Sequence, residues 1–355
     1  MFGGAKTLQQ ILPQLRVGDS VMFGAGEHVV GNLKLNGVSL LAQKAGTATL
    51  RGNITYTLEA MLEGLHIDGR INIEGVGAKL LLKNCRLEHA ADNVLVTRDY
   101  VDVVLQDCEI FCSGANHPAL FADSGSKIHL RGCRFHDIPA NGVEALNNSQ
   151  CWIEDCSFAH SSGLAVYLQN GAKAFISRSS FNNAETGMLT ASEGSLLEVS
   201  DCQFARLGSH VGVYATTRSR VILRNSSFTQ GRNGALMAGE SSQMEVTDCT
   251  FAQFDANIVG ADGKGSRITL RGCRLDGDFT RIVPASTDEQ GVVLMENSML
   301  NGVAAPNYDS RQKAQPAKTA SGMAEHAAAP NAVSGTSDVR SELEKLTGLH
   351  GVKEE

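Results

Sequence analysis

The stretch LRGCRFHD, Leu130 to Asp137, decides how this chain is read, because close copies of it recur along the sequence. They are LKNCRLEH (82–89), LQDCEIFC (105–112), IEDCSFAH (153–160), VSDCQFAR (199–206), VTDCTFAQ (246–253) and LRGCRLDG (270–277). With the cysteine as register, the series runs Cys85, Cys108, Cys133, Cys156, Ser179, Cys202, Ser226, Cys249, Cys273, Ser298, in steps of 23–25 residues. Two residues after each stands Leu87, Ile110, Phe135, Phe158, Phe181, Phe204, Phe228, Phe251, Leu275 or Leu300. Before each lies an alternating run such as SKIHLRGC or SRITLRGC, the pattern of a half-buried strand. A second apolar run, such as NGVEAL, GLAVYL or NGALMA, follows eight to ten residues later and usually opens on Gly or Asn, as a turn with positive φ requires.

Each unit therefore reads as strand, turn, strand, turn, with too few residues for a crossover helix. Such units cannot bury a face alone, but stacked they share one continuous core. The expected fold is an all-β, right-handed parallel β-helix of about 11–12 coils. In such a stack, equivalent residues lie about 4.8 Å apart. A position facing the narrow interior must then be small and tolerant of burial, which suits Cys or Ser. The Cys column is expected as an internal packing ladder, with Phe filling the wider core beside it. Disulfides and zinc compete with that reading. The only short pairs, Cys108 with Cys112 and Cys151 with Cys156, each take a member from the ladder.

The organisation expected is residues 1–60 as cap and first irregular coils, 61–301 as repeats, 302–340 as a flexible linker and 341–355 as the start of a helix. Thr7 with Gln10 forms a capping box, Leu8, Ile11, Leu12 and Leu15 share one helical face, and Pro13 keeps that helix short. A short amphipathic helix closes the open end of a solenoid core. The segment 302–340 is rich in Ala, Pro, Ser and Gly without periodicity, and Ser341 with Glu344 forms a second capping box.

Two resemblances add to this. The opening, Val17, Gly18, Asp19, Ser20, Val21 through Gly26 and His28, resembles that of the pectate-lyase-like β-helix superfamily, over residues 5 to 300. It implies the fold, while the superfamily's functions range over lyases, hydrolases, epimerases and non-catalytic scaffolds. The last segment, with Leu343, Leu346, Gly348, Leu349, Val352, Lys353 and Glu354, resembles the opening of the AAA+ module of CbxX/CfxQ-type ATPases. That resemblance implies a targeting domain joined to a motor, with ATP and Mg as the motor's cofactors and a homo-hexamer as its usual assembly. This chain holds no G-x-x-x-x-G-K-[ST], and GADGKGS (260–266) lacks the spacing, so no cofactor is expected within it.

The net charge of −7 with no basic run argues against nucleic acid, and no apolar stretch approaches a membrane span. Nine cysteines without an export signal point to reduced thiols and a cytoplasmic setting. No dense acidic cluster or close Asp pair suggests sugar chemistry, so no catalytic residue is assigned. The one constellation worth weighing stands four residues after the ladder: His89, Cys112, Asp137, His160, Asn183 and Arg206. Cys112, Asp137 and His160 are the candidates for an activated thiol, and His89 joins them as a metal set. Polar, solvated turns are the plainer reading. Outward positions beside the Cys carry mixed charge, and with one Trp and five Tyr no aromatic stripe for sugars is expected. The function expected is recognition of a protein client, with a carbohydrate-active enzyme as the alternative.

Overall fold

The computed structural model describes residues 8–111, 113–208, 210–255, 258–277, 285–287, 290–305 and 308–311. The described residues form the expected solenoid, with about 11 coils and helix only at its start. Each regular coil holds three strands rather than the two read from sequence. The coil from Lys127 is representative: Lys127–Arg131 lies on a first face, Arg134–His136 on a second and Val143–Ala145 on a third. Each strand pairs in parallel with its equivalent one coil on, as Lys127 does with Gln150, Arg134 with Ser157 and Val143 with Val166. The middle strand escaped notice because three residues are too few to display alternation. A single residue also makes the bend before it.

That bend is the residue preceding the ladder. Asn84, Asp107, Gly132, Asp155, Arg178, Asp201, Asn225, Asp248, Gly272 and Asn297 all have φ between 48° and 64°. Asn, Asp and Gly tolerate this left-handed conformation best, which explains the N/D/G-C signature. Arg178 is the exception, tied down by its Nε donating to Asp155 Oδ1 at 2.9 Å.

The ladder is internal, every member being buried. It does more than fill space. Each side chain turns back on the carbonyl two residues earlier, as Cys202 Sγ does on Ser200 O at 3.1 Å and Ser226 Oγ on Arg224 O at 2.8 Å. Where serine occupies the rung, its hydroxyl also accepts the N–H of the cysteine one coil earlier, at 3.1 Å for Ser179 and 3.2 Å for Ser298. The eight cysteines among the described residues are free and buried, Cys151 and Cys156 included. Beside them the rings of Phe135, Phe158, Phe181, Phe204, Phe228 and Phe251 stack with centroids 4.3–5.1 Å apart. A second internal ladder, Ser126, Ser149, Ser195, Ser219, Ser242 and Ser266, lines the corner between the third and first faces.

The first coils turn their corner differently. Gly26–Leu35 and Ala48–Tyr56 run unbroken from second to third face and bend at Gly31 and Gly52. A Cβ on Gly52, at φ 135°, would lie 2.2 Å from Gly31 O, so only glycine fits this stacked corner. Leu8–Ile11 forms the short helix expected before Pro13, then a 3-10 turn. Ile11 is buried, and Leu8, Leu12 and Leu15 pack on the end of the core. The capping residue Thr7 lies outside the described residues.

At the other end the expected linker boundary shifts. Val303–Ala304 pairs antiparallel with Met299–Leu300, and Tyr308–Asp309 antiparallel with Val292–Glu296. The last parallel rung would otherwise present unpaired N–H and C=O groups, and this return of the chain pairs part of them. The rest of the expected linker, from 312, and the expected helix 341–355 lie outside the described residues.

Candidate functional site

Stacking brings part of the sequence-derived polar column together, but as turn residues. Asp137, His160, Asn183 and Arg206 have φ of 54°, 53°, 57° and 52°, and Gln230 and Gln253 continue the series. Asp137 and His160 directly follow their second-face strands, whereas Asn183, Arg206, Gln230 and Gln253 are single-residue bends inside Ser180–Ala184, Gln203–Leu207, Ser227–Gly231 and Thr250–Phe254. Asp137 and His160 approach to 4.0 Å but are 69% and 57% exposed, so water competes for both. Among the described residues no group of three or more His, Cys, Asp or Glu is placed to hold a metal ion, His89 included. Cys112 lies outside the described residues. Further along the same edge, Arg206, Gln230, Arg232 and Gln253 line an open groove of about 380 Å³.

The second face carries a network that sequence reasoning missed. His66 Nε2 meets Glu88 Oε1 at 2.6 Å. His136 lies between Glu109 and Asp137, with ring nitrogens 2.9 Å from each, and stacks on Phe111 with planes 6° apart. Arg86 covers the other side of Phe111, 4.3 Å from its centroid. Burial opposes charge on His136, but the two carboxylates outweigh it and raise its pKa. Burial likewise works against the charge on Glu109, and His136 with Arg86 reverses that. An imidazolium locked between two carboxylates is a structural ion-pair network, not a poised base.

The largest departure from expectation lies on the first face. The central residue of each five-residue strand points outward, and register stacks Met61, Leu81, Val104, His129, Trp152 and Phe175 into one stripe. His129 and Trp152 are parallel, 4.3 Å apart at 3°, and Phe175 continues the stack at 5.7 Å. All six side chains are half-buried by one another and by their long neighbours. A short ring stack, His129, Trp152 and Phe175, thus stands on a face other than the positions beside the Cys. Only positions beside the Cys were weighed from sequence, and runs such as LLL (80–82) and VVL (103–105) conceal which residue faces out. A shallow groove of about 130 Å³ lies beside Trp152 and Phe175, bordered by Glu154, Glu198 and Arg224. Lys79, Lys127 and Lys173 stand in register along one border, with Asp102 and Gln150 between them, while the other border mixes Lys83 and Arg131 with Glu63 and Glu154.

On the third face the outward column includes Glu144 and Tyr167 in adjacent coils. Tyr167 is only 5% exposed, and Asn141 Nδ2 donates to Glu144 Oε2 at 3.2 Å. Burial pushes the Glu144 carboxyl upward against the lesser effect of that hydrogen bond. A desolvated outward acid has acid–base character.

Comparison with known proteins follows the fold. The A-module of Azotobacter vinelandii mannuronan C-5 epimerase AlgE6 superposes with a TM-score of 0.58 at 12% identity, over 81% of this chain and 91% of that one. The AlgE4 A-module gives 0.55 at 10% identity, over 80% and 88%. The catalytic domain of a GH87 alpha-1,3-glucanase, in an aspartate-to-alanine variant form in complex with nigerose, gives 0.52 at 12%, over 85% and 64%. At these identities the likeness is one of fold. No curated protein sequence matches the chain. The family described as "Right handed beta helix region" matches residues 118–275 and 189–305, together more than half of the sequence. With stacked parallel coils running through both matches, the chain belongs to the right-handed β-helix family.

Proposed function

We propose that this chain is a non-catalytic recognition domain that holds a protein client on its first face. The stripe from Met61 to Phe175 carries the reading: an ordered row of outward apolar and aromatic side chains with charged borders has the anatomy of an interface centre. A rigid solenoid suits the role, because each coil fixes the next and the surface is preorganised. The finer proposal couples this domain, through the segment beyond Arg311, to a CbxX/CfxQ-type AAA+ motor that remodels the client in the cytoplasm. ATP, Mg and hexamer formation belong to that motor. The resemblance of residues 343–354 supports it, and a reading frame continuing into a G-x-x-x-x-G-K-[ST] motif is its test. For recognition itself, the full chain and a Trp152→Ala twin serve as paired baits. A client retained by the first and lost by the second is expected, and equal retention by both removes the first face from the account.

A second reading, a carbohydrate-active enzyme, is favoured by Glu144. Its desolvated carboxyl beside Tyr167 has the character of a general acid, and proteins of similar fold include mannuronan epimerases and an alpha-1,3-glucanase. Incubation with mannuronan and with alpha-1,3-glucan, read by proton NMR and reducing ends, tests it against Glu144→Gln. Unchanged polymers with the parent chain end that reading.

A further inference from the structure

We infer that the occupant of the first-face stripe is an acidic amphipathic helix of a protein partner, an inference that rests on the recognition reading above. Three observations lead to it. The first is length. From Met61 to Phe175 the stripe crosses five coil steps, about 24 Å at the strand spacing. A helix laid along it needs about 16 residues at 1.5 Å each, an ordinary amphipathic length.

The second is hydrogen bonding. The five strands from Lys79–Lys83 to Lys173–Ser177 are each paired on both sides, so this part of the sheet offers no edge to an added strand. A partner must bring its own satisfied backbone, and a helix does. Its i, i+3, i+4, i+7 side chains then have Trp152, at the stacked centre, as their anchor.

The third is charge. Lys79, Lys127 and Lys173 lie in one register column, exposed, and none makes an ion pair among the described residues. The acid within that column, Asp102, is engaged 3.5 Å from His129. The whole chain carries −7, so an acidic partner is repelled by the molecule at large and attracted at this border. Complementarity of that kind sets register and on-rate more than raw affinity.

Trp152 is the chain's single tryptophan, so its emission reports occupancy of the stripe without a label. The full chain is titrated with a synthetic 18-residue peptide having leucines at helical spacing, glutamates on both flanks and no aromatic residue. A twin peptide with lysine in place of each glutamate is the control. The acidic peptide should shift Trp152 emission to the blue and shield it from acrylamide, and the lysine twin should bind at least about tenfold more weakly. Lys127→Glu with Lys173→Glu should lower affinity for the acidic peptide by about tenfold and raise it for the twin, with circular dichroism confirming the fold.

Emission that ignores the acidic peptide, or equal binding of both peptides, overturns the inference. So does a blue shift with chain concentration alone, accompanied by a dimer mass, since the occupant is then a second copy. A client captured equally by parent and Lys127→Glu/Lys173→Glu baits removes the acidic helix but leaves recognition standing. Failure of every bait to hold any client removes recognition itself.

Discussion

Replacing Phe204 by alanine is the sharpest test of the stacked core. Phe204 is 1% exposed, and its ring lies between Phe181 at 4.9 Å and Phe228 at 4.3 Å, nearly parallel to both. Buried Phe→Ala changes cost about 3–5 kcal/mol, depending on how far the site can collapse. Here collapse is resisted, because backbone ladders on each face hold neighbouring coils about 4.8 Å apart. A loss of about 4 kcal/mol is expected. Phe204→Leu should cost only about 1–1.5 kcal/mol, since Leu87 and Leu275 already fill this column. Equilibrium urea unfolding followed by circular dichroism measures both. A double-mutant cycle adds the discriminating number: Phe181 and Phe204 should couple by about 1 kcal/mol. Phe135 and Phe228, four coils apart, should be additive to within about 0.5 kcal/mol. A cost below about 1.5 kcal/mol for Phe204→Ala at unchanged m, or equal coupling in the two cycles, would refute the aromatic column as a stabilising element.

Three further outcomes are expected. Gly52→Ala should destabilise by about 3 kcal/mol or more, as its Cβ meets Gly31 O at 2.2 Å in a φ that side chains avoid; a thermal midpoint equal to the parent's contradicts this. Burial pushes Cys151 and Cys249 up to about 12, and Cys202 and Cys273 up to about 11, so thiolate is scarce at pH 8. Iodoacetamide should leave these four unmodified in the native chain and alkylate them in guanidinium, as read by peptide mass mapping. Because His136 has a raised pKa when folded, its contribution is full below the unfolded value of about 6.5 and fades as pH climbs through the folded one. His136→Gln should therefore flatten the stability–pH curve over that window, and identical slopes for parent and variant would remove the two carboxylates as its cause.

The period and the inner residues were legible in the sequence because burial repeats with the coil. Every turn must place a side chain of similar size in the same slot, and so Cys133, Cys156, Ser179 and Phe135, Phe158, Phe181 return at near-constant spacing. The short capping helix was legible for a local reason, the apolar face of Leu8 to Leu15 interrupted by Pro13. The serine ladder and the left-handed bends were visible as Ser126, Ser149 and as the Asp, Asn or Gly before each ladder Cys. Their meaning depended on knowing that the chain bends there rather than loops.

Tertiary structure alone decided the rest. Whether a coil has two sides or three depends on three-residue strands that carry no periodicity of their own. Met61, Leu81, Val104, His129, Trp152 and Phe175 are 20–25 residues apart, share no residue type and become one surface only through coil register. The polar column shows the same limit: spacing brings Asp137 toward His160, but the bend at each leaves both side chains exposed to solvent. Inward positions are constrained one by one and leave a mark in sequence. Outward ones are free one by one, and their sum exists only once the coils are stacked.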